Sequence, residues 1–296
     1  MLKAGDQITL PGNEEFPSVC MTITEPRIAH GSFSVVHKAV LHNTCKYVAF
    51  KESTRPLNPP IFQISDPYIA PILYVGKSAF CTIVEEWVYG RTIFDIARNR
   101  DFSNKPSLPI VKAIIEAIQH VASEYQIYHG DLTPCNVIIR NNREGPSAVL
   151  IDFDPWYQID QRGEVNASDI SGSIPFLPPE YICGCLSFNA EKALAYSAGC
   201  IIYYYLYGYP PYCQDLPQKF VHRLMFGRNH PHEIVKERQQ FLDYQYWKSC
   251  LKQEVQLIQN TNSSVDYLIK SMLSKEPDER ATISEALQLL KGKELE

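Results

Sequence analysis

The hydrophobic period of this chain changes once, close to Trp87–Arg91. Before that point apolar and β-branched runs recur at Ile8–Leu10, Met21–Ile28, Ser34–Leu41, Tyr47–Lys51, Ile69–Val75 and Phe80–Val88, with turn residues such as Gly31, His42-Asn43 and Gly76-Lys77 between them. Short runs bounded by turn formers predict strands. After Gly90 the spacing becomes helical. In Pro109–Tyr125 the residues Ile110, Ile114, Ile118 and Val121 fall on one face of an amphipathic helix. Short strands are predicted at Val137–Arg140 and Ala148–Asp152, and the pattern is helical again after Pro178. Strands first and helices second, without alternation, predict an α+β chain. The expectation is one bilobal domain over residues 1–296: a small β-rich lobe to residue 86, a linker at 87–91, and a larger helical lobe from 92.

Composition excludes several function classes. With 45% apolar and 21% charged residues, the chain can bury a large core. Its net charge of -5 and the lack of a dense Lys/Arg run give a nucleic-acid backbone no general attraction. The amino-terminal stretch MLKAGDQITLPGNEEF lacks the apolar core of a secretory signal. The most apolar run, Ala193–Leu206, is too short to span a bilayer and reads as a buried core helix, so membrane insertion is not expected. Nine scattered cysteines read as free thiols in a reducing compartment, which points to a cytoplasmic protein. The polar stretch Arg228–Gln259 is expected to be helical and carries no legible motif, and no feature fixes an oligomeric state.

The residues that carry chemistry come in a fixed order. The segment Ile28–Val36, IAHGSFSVV, places a glycine between two strands, where backbone N–H groups approach phosphate oxygens closely; a plain hairpin turn is the alternative. In Val48–Lys51, VAFK, alternation puts Ala49 and Lys51 on one face of a strand: room for a flat ring, and an inward cation. The segment His129–Asn136, HGDLTPCN, follows the long helix directly. It sets Asp131 and Asn136 on one short loop, and Asp152 follows the strand AVLI. Together they offer one base and two hard oxygen ligands suited to Mg²⁺.

The ordered set IAHGSFSVV, VAFK, HGDLTPCN, DFD and PPE resembles the signature of eukaryotic-type (Hanks-type) protein kinases. The segments SGSIPFLPPE (171–180), YSAGCIIYYYLYGYPPY and VDYLIKSMLSKEPDERAT (265–282) resemble that family's substrate-binding turn, central helix and final helices. The resemblance covers residues 28–290. It implies a bilobal protein-kinase-like fold and transfer of the ATP γ-phosphate with Mg²⁺, or Mn²⁺ in its place. The acceptor it implies is a Ser/Thr hydroxyl of a protein substrate. Position by position, Lys51 would hold the α- and β-phosphates, Asp131 would be the catalytic base, and Asn136 and Asp152 would hold the metal. The backbone of Ala29, His30, Gly31, Ser32, Phe33 and Ser34 would cover the phosphates. Adenine would lie between Ile28, Val36 and Ala49 on one side and Ile138 on the other, its edge against the backbone of Glu86 and Val88. Arg280 would pair with buried Glu180.

Several positions depart from the family pattern. Only the middle loop glycine, Gly31, remains, with Ala29 and Ser34 at the others. Gly130 removes the arginine that grips an activation-segment phosphate, so neither Ser168 nor Ser171 is expected to be a required switch. Thr133 stands where a lysine is usual, Asp154 where a glycine is usual, and Leu194 where an aspartate anchors the catalytic loop. Pro56, Pro59 and Pro60 leave no room after Lys51 for the helix that normally supplies its glutamate partner. Glu52 points away from Lys51, so Glu85, set at the back of the pocket by aligning IVEEWVYG with the linker, is the candidate substitute; the alternative is a register shifted by one residue, with Glu85 facing solvent. Three functions remain: an active Ser/Thr kinase, a nucleotide-binding scaffold without transfer, and a kinase-fold enzyme with a small-molecule acceptor.

Overall fold

The computed structural model describes residues 1–30, 34–53, 65–77, 81–100, 107–153, 156–167, 170, 172–226, 245–247, 249–251 and 263–291. The chain divides into two compact units, Met1–Tyr89 and Gly90–Glu296.

The described residues of the first unit form one antiparallel sheet of six strands: β1 (Gln7–Leu10), β2 (Val19–His30), β3 (Ser34–Leu41), β4 (Tyr47–Ser53), β5 (Ile72–Lys77) and β6 (Cys81–Glu86), in the order β1-β2-β3-β4-β6-β5. All six expected strands are present. The run expected from Ile69 joins its ladder only at Ile72, because Pro71 has no N–H to donate. Met21, Ile23, Ala39, Val48, Phe50, Tyr74 and Ile83 pack into one core cluster. The segment after β1 runs to the opposite edge strand. There the Tyr74 hydroxyl donates to the Pro11 carbonyl and Asn13 Nδ2 to the Val75 carbonyl, both at 2.8 Å. Phe16, 3% exposed, sets its ring 6.1 Å from that of Tyr74. A single strap thus touches both edges of the sheet.

The second unit is mostly helical. Among the described residues its helices are α1 (Ile93–Arg98), α2 (Leu108–Tyr125), α3 (Pro179–Ile182), α4 (Ala190–Tyr207), α5 (Gln218–Phe226), α6 (Ser263–Met272) and α7 (Ile283–Lys291). The helix expected at 109–125 is α2, which buries Ile114, Ile118 and Val121 as its period requires. The apolar run 193–206 forms α4, buried on every side. No described helix is long and apolar enough to cross a membrane. Short strands complete the unit: β7 (Arg91–Thr92), β8 (Ile127–His129), β9 (Val137–Asn142), β10 (Gly145–Leu150), β11 (Trp156–Gln158), β12 (Glu164–Asn166) and β13 (Ser187–Asn189). Of these, β9 and β10 were expected. Most of the stretch expected to be helical at 228–259 lies outside the described residues, as do Asp154, Ser168 and Ser171.

Candidate active site

In the first unit, Lys51 on β4 faces Val36 of β3 and Ile83 of β6 in register. Directly paired residues share a face, so these three side chains form one row across the sheet. The next row on that face is Lys38, Ala49 and Glu85. Glu85 is therefore a diagonal neighbour of Lys51, one row along. Lys51 is only 5% exposed and Glu85 is half-buried. Glu52 points the other way, its Oε2 lying 3.2 Å from His37 Nε2, as strand alternation requires. The segment expected to lack a helix, 54–64, lies outside the described residues.

The remaining positions of the first unit scatter along the same strands. Ala29 pairs with Val36 and extends its row, while His30 pairs with Val35. Ile28, at the bulged end of β2, is 40% exposed. Ser34 is buried opposite Ser53. Gly31, Ser32 and Phe33 lie outside the described residues. The Glu86 N–H is taken by the Pro71 carbonyl at 2.9 Å and the Trp87 N–H by Tyr47 at 3.1 Å; Val88 is buried.

In the second unit, Asp131, Asn136 and Asp152 are held by one network. Asp131 is 5% exposed, and its Oδ1 accepts the Ser173 N–H at 2.8 Å. Its carbonyl accepts Asn136 Nδ2 at 2.8 Å, which leaves the amide oxygen of Asn136 as that side chain's acceptor. The Asn136 carbonyl in turn accepts the Ile151 N–H at 3.0 Å, so Asp152, next in the chain, joins the group. Asp152 has φ 61, the left-handed region that costs a non-glycine residue about 1–2 kcal/mol.

His129 couples the loop to the strand before Asp152. Its Nε2 lies 3.0 Å from the Ile151 carbonyl, which can only accept, and its Nδ1 takes the Asp131 N–H at 3.2 Å. Those partners require the neutral imidazole with its proton on Nε2. The Phe153 ring packs against it, centroids 4.6 Å apart. Burial, reinforced by the Asp131 charge, pushes the Cys135 thiol up to about 12. Thr133 is 6% exposed.

Two glycines are required by close approach. A Cβ at Gly172 would lie 2.4 Å from the Gly130 carbonyl, beside Asp131. One at Gly90 would lie 2.4 Å from the Ile139 carbonyl and 2.6 Å from Cγ2 of Ile138, the residue of β9 expected to line the adenine site. Gly172 and Ser173 lie in the SGSIPFLPPE segment, but their place beside Asp131 was not legible, since only tertiary contact brings Ser173 to Asp131 across 42 residues.

Residues 23–290 match the protein kinase domain family. The chain belongs to that family. Among similar curated proteins, the DNA damage response protein kinase DUN1 of Saccharomyces cerevisiae is 25% identical over 80% of this chain and 45% of its own length. MAP kinase-activated protein kinase 5 of Mus musculus is 25% identical over 78% and 48%. Serine/threonine-protein kinase pkn2 of Myxococcus xanthus is 27% identical over 58% and 20%. The kinase chain spans less than half the length of these relatives. Its α+β fold, a sheet-rich first unit and a helix-rich second, is the one expected of this family.

Proposed function

We propose that this chain is an ATP- and Mg²⁺-dependent Ser/Thr protein kinase with Asp131 as its catalytic base. The observation that carries the reading is the ordered carboxylate: Asp131 is buried, with the Ser173 N–H on Oδ1 and the Asn136 amide on its carbonyl. A base held this way is positioned before its substrate arrives. Asn136 and Asp152 fit a hard divalent ion, because the Asn136 amide is turned by its own hydrogen bond to present oxygen, and Asp152 sits beside it in a strained backbone state that packing enforces. Bound Mg-ATP would supply the transferable phosphoryl group and the counter-charge for its oxygens.

The chain's own groups then have defined tasks. Lys51 would hold phosphate charge. Glu85, the carboxylate found on its face of β3, β4 and β6, would keep its amine in place. Asp131, oriented by the Ser173 N–H on Oδ1, would align the acceptor hydroxyl and take its proton. Val36, Ala49 and Ile138 would bracket the adenine.

A second reading, a nucleotide-binding scaffold, is favoured by one observation: neutral, buried Thr133 occupies a loop position at which a cation would help the transferring phosphoryl group. Transfer of γ-labelled phosphate from Mg-ATP to the protein itself and to a generic protein, beside Asp131→Asn, decides between them. Label on Ser/Thr that disappears in the variant supports the kinase. Nucleotide binding without label supports the scaffold.

A further inference from the structure

The strand β2 is irregular where it approaches residues 31–33. Between the pairs Glu25–Lys38 and Ala29–Val36, the residues Pro26, Arg27 and Ile28 of β2 stand opposite the single residue His37 of β3. A bulge of this kind takes backbone groups out of the ladder and bends its strand. Pro26 has no N–H to offer. Arg27 adopts φ 55, a left-handed state that a non-glycine residue keeps only where its surroundings enforce it. All three bulge residues are exposed.

The restraint on the bulge is a hydrogen bond. The Arg27 N–H donates to His37 Nδ1 at 3.2 Å. A ring nitrogen that accepts carries no proton, so the proton of the neutral imidazole is on Nε2, which faces Glu52 Oε2 at 3.2 Å. His37 is 1% exposed and its ring lies beside its ladder partner Phe50, centroids 5.9 Å apart. Glu52 on β4 therefore orients a buried ring on β3, and that ring holds the bulge of β2.

The bulge decides which side chains of β2 share the face of Lys51. A slip of one residue would turn Ala29 to the other face. With the bulge fixed, Ala29 stands opposite Val36, and Val36 stands opposite Lys51. We infer that His37 is a positioning residue for nucleotide binding. From the sheet face opposite Lys51, it pins the register in which β2 presents Ala29 and enters the phosphate-covering segment.

The inference rests on the kinase reading, and a binding readout keeps the two apart. His37→Phe keeps a ring and removes the acceptor, and His37→Leu makes the same deletion if the larger ring does not fit. His37→Asn restores an acceptor near the place of Nδ1. We expect His37→Phe to raise KM for ATP about tenfold with kcat changed less than about twofold, and to weaken Mg-ADP binding in calorimetry about as much. His37→Asn should recover most of both losses. Exchange of the Arg27 amide should quicken about tenfold in His37→Phe while amides of β4 and β6 keep their protection. Unchanged Arg27 exchange, or unchanged nucleotide affinity beside faster exchange, would overturn the inference. So would a loss spread over the whole sheet that His37→Asn does not repair. A wild type that binds Mg-ADP without transferring phosphate, and loses that affinity in His37→Phe, would overturn the kinase reading and leave the inference standing. A wild type that binds no nucleotide would overturn both.

Discussion

Arg280 grips Glu180 with both terminal nitrogens, at 2.7 and 2.8 Å, across 100 residues of sequence. Its remaining donors reach the carbonyls of Ser274, Lys192 and Lys275, and its guanidinium lies 5.1 Å from the Tyr196 ring. Glu180 lies in the first turn of α3, and Arg280 precedes α7, so the fork ties α3 to the last described helix. Removing either partner strands a charge that is 1% or 8% exposed. We expect Glu180→Gln or Arg280→Met to cost about 3–5 kcal/mol in urea unfolding, and Arg280→Lys nearly as much, because lysine cannot form the fork. A loss below about 1 kcal/mol would show the pair to be marginal.

Gly172 should tolerate no side chain. A methyl group there must push against the Gly130 carbonyl, which is backbone and cannot swing away. The Ser173 N–H would then move off Asp131. We expect Gly172→Ala to lower kcat about 100-fold, the scale set by small misplacements of catalytic groups, with ATP binding retained. Wild-type turnover in that variant would separate the Ser173 contact from catalysis.

Asp152 sets stability against function. Glycine accepts φ 61 freely, so Asp152→Gly should leave the fold neutral or about 1 kcal/mol more stable, while removing the proposed metal ligand. Thermal unfolding beside a phosphoryl-transfer assay tests both halves. A destabilised variant would mean that contacts of the carboxylate outweigh the backbone strain.

Glu85 should matter through Lys51. If their diagonal placement reflects support of the amine, Glu85→Gln weakens ATP binding about tenfold, and adding it to Lys51→Met has no further effect. Independent, additive losses in the two variants would exclude the pairing.

Stability should fall in alkali. Burial raises the Cys135 thiol from 9.0 to about 12 and the Tyr204 phenol from 10.0 to about 12. A raised acid holds its proton more tightly folded than unfolded. Its contribution is therefore complete below the unfolded value and is lost as pH climbs toward the folded one. Unfolding free energy should decline from about pH 9 upward, and Cys135 should resist alkylation at pH 8 while exposed Cys20, Cys45, Cys183 and Cys185 react.

Local pattern made much of this legible. Strand alternation located Lys51 and turned Glu52 away from it, and helical spacing located α2. The loop from His129 to Asn136 was readable because its chemistry lies within eight consecutive residues. What could not be read was whatever depends on contact between distant segments. Ser173 on Asp131 and Ser197 on the Phe176 carbonyl are unremarkable serines until the fold joins them to their partners. The short strands β7, β8, β11, β12 and β13 were missed for the same reason: two or three residues carry no period of their own.

The family match begins at residue 23, inside β2. A recombinant fragment cut at that boundary would drop β1, the Asn13 clasp on Val75 and the Phe16 plug together. Both lateral strands of the sheet would lose their cover at once, leaving unpaired backbone that recruits other chains. Such a truncation should aggregate during purification even though every residue of the expected active site is still in it. The useful amino-terminal limit of this domain is set by where its strap starts.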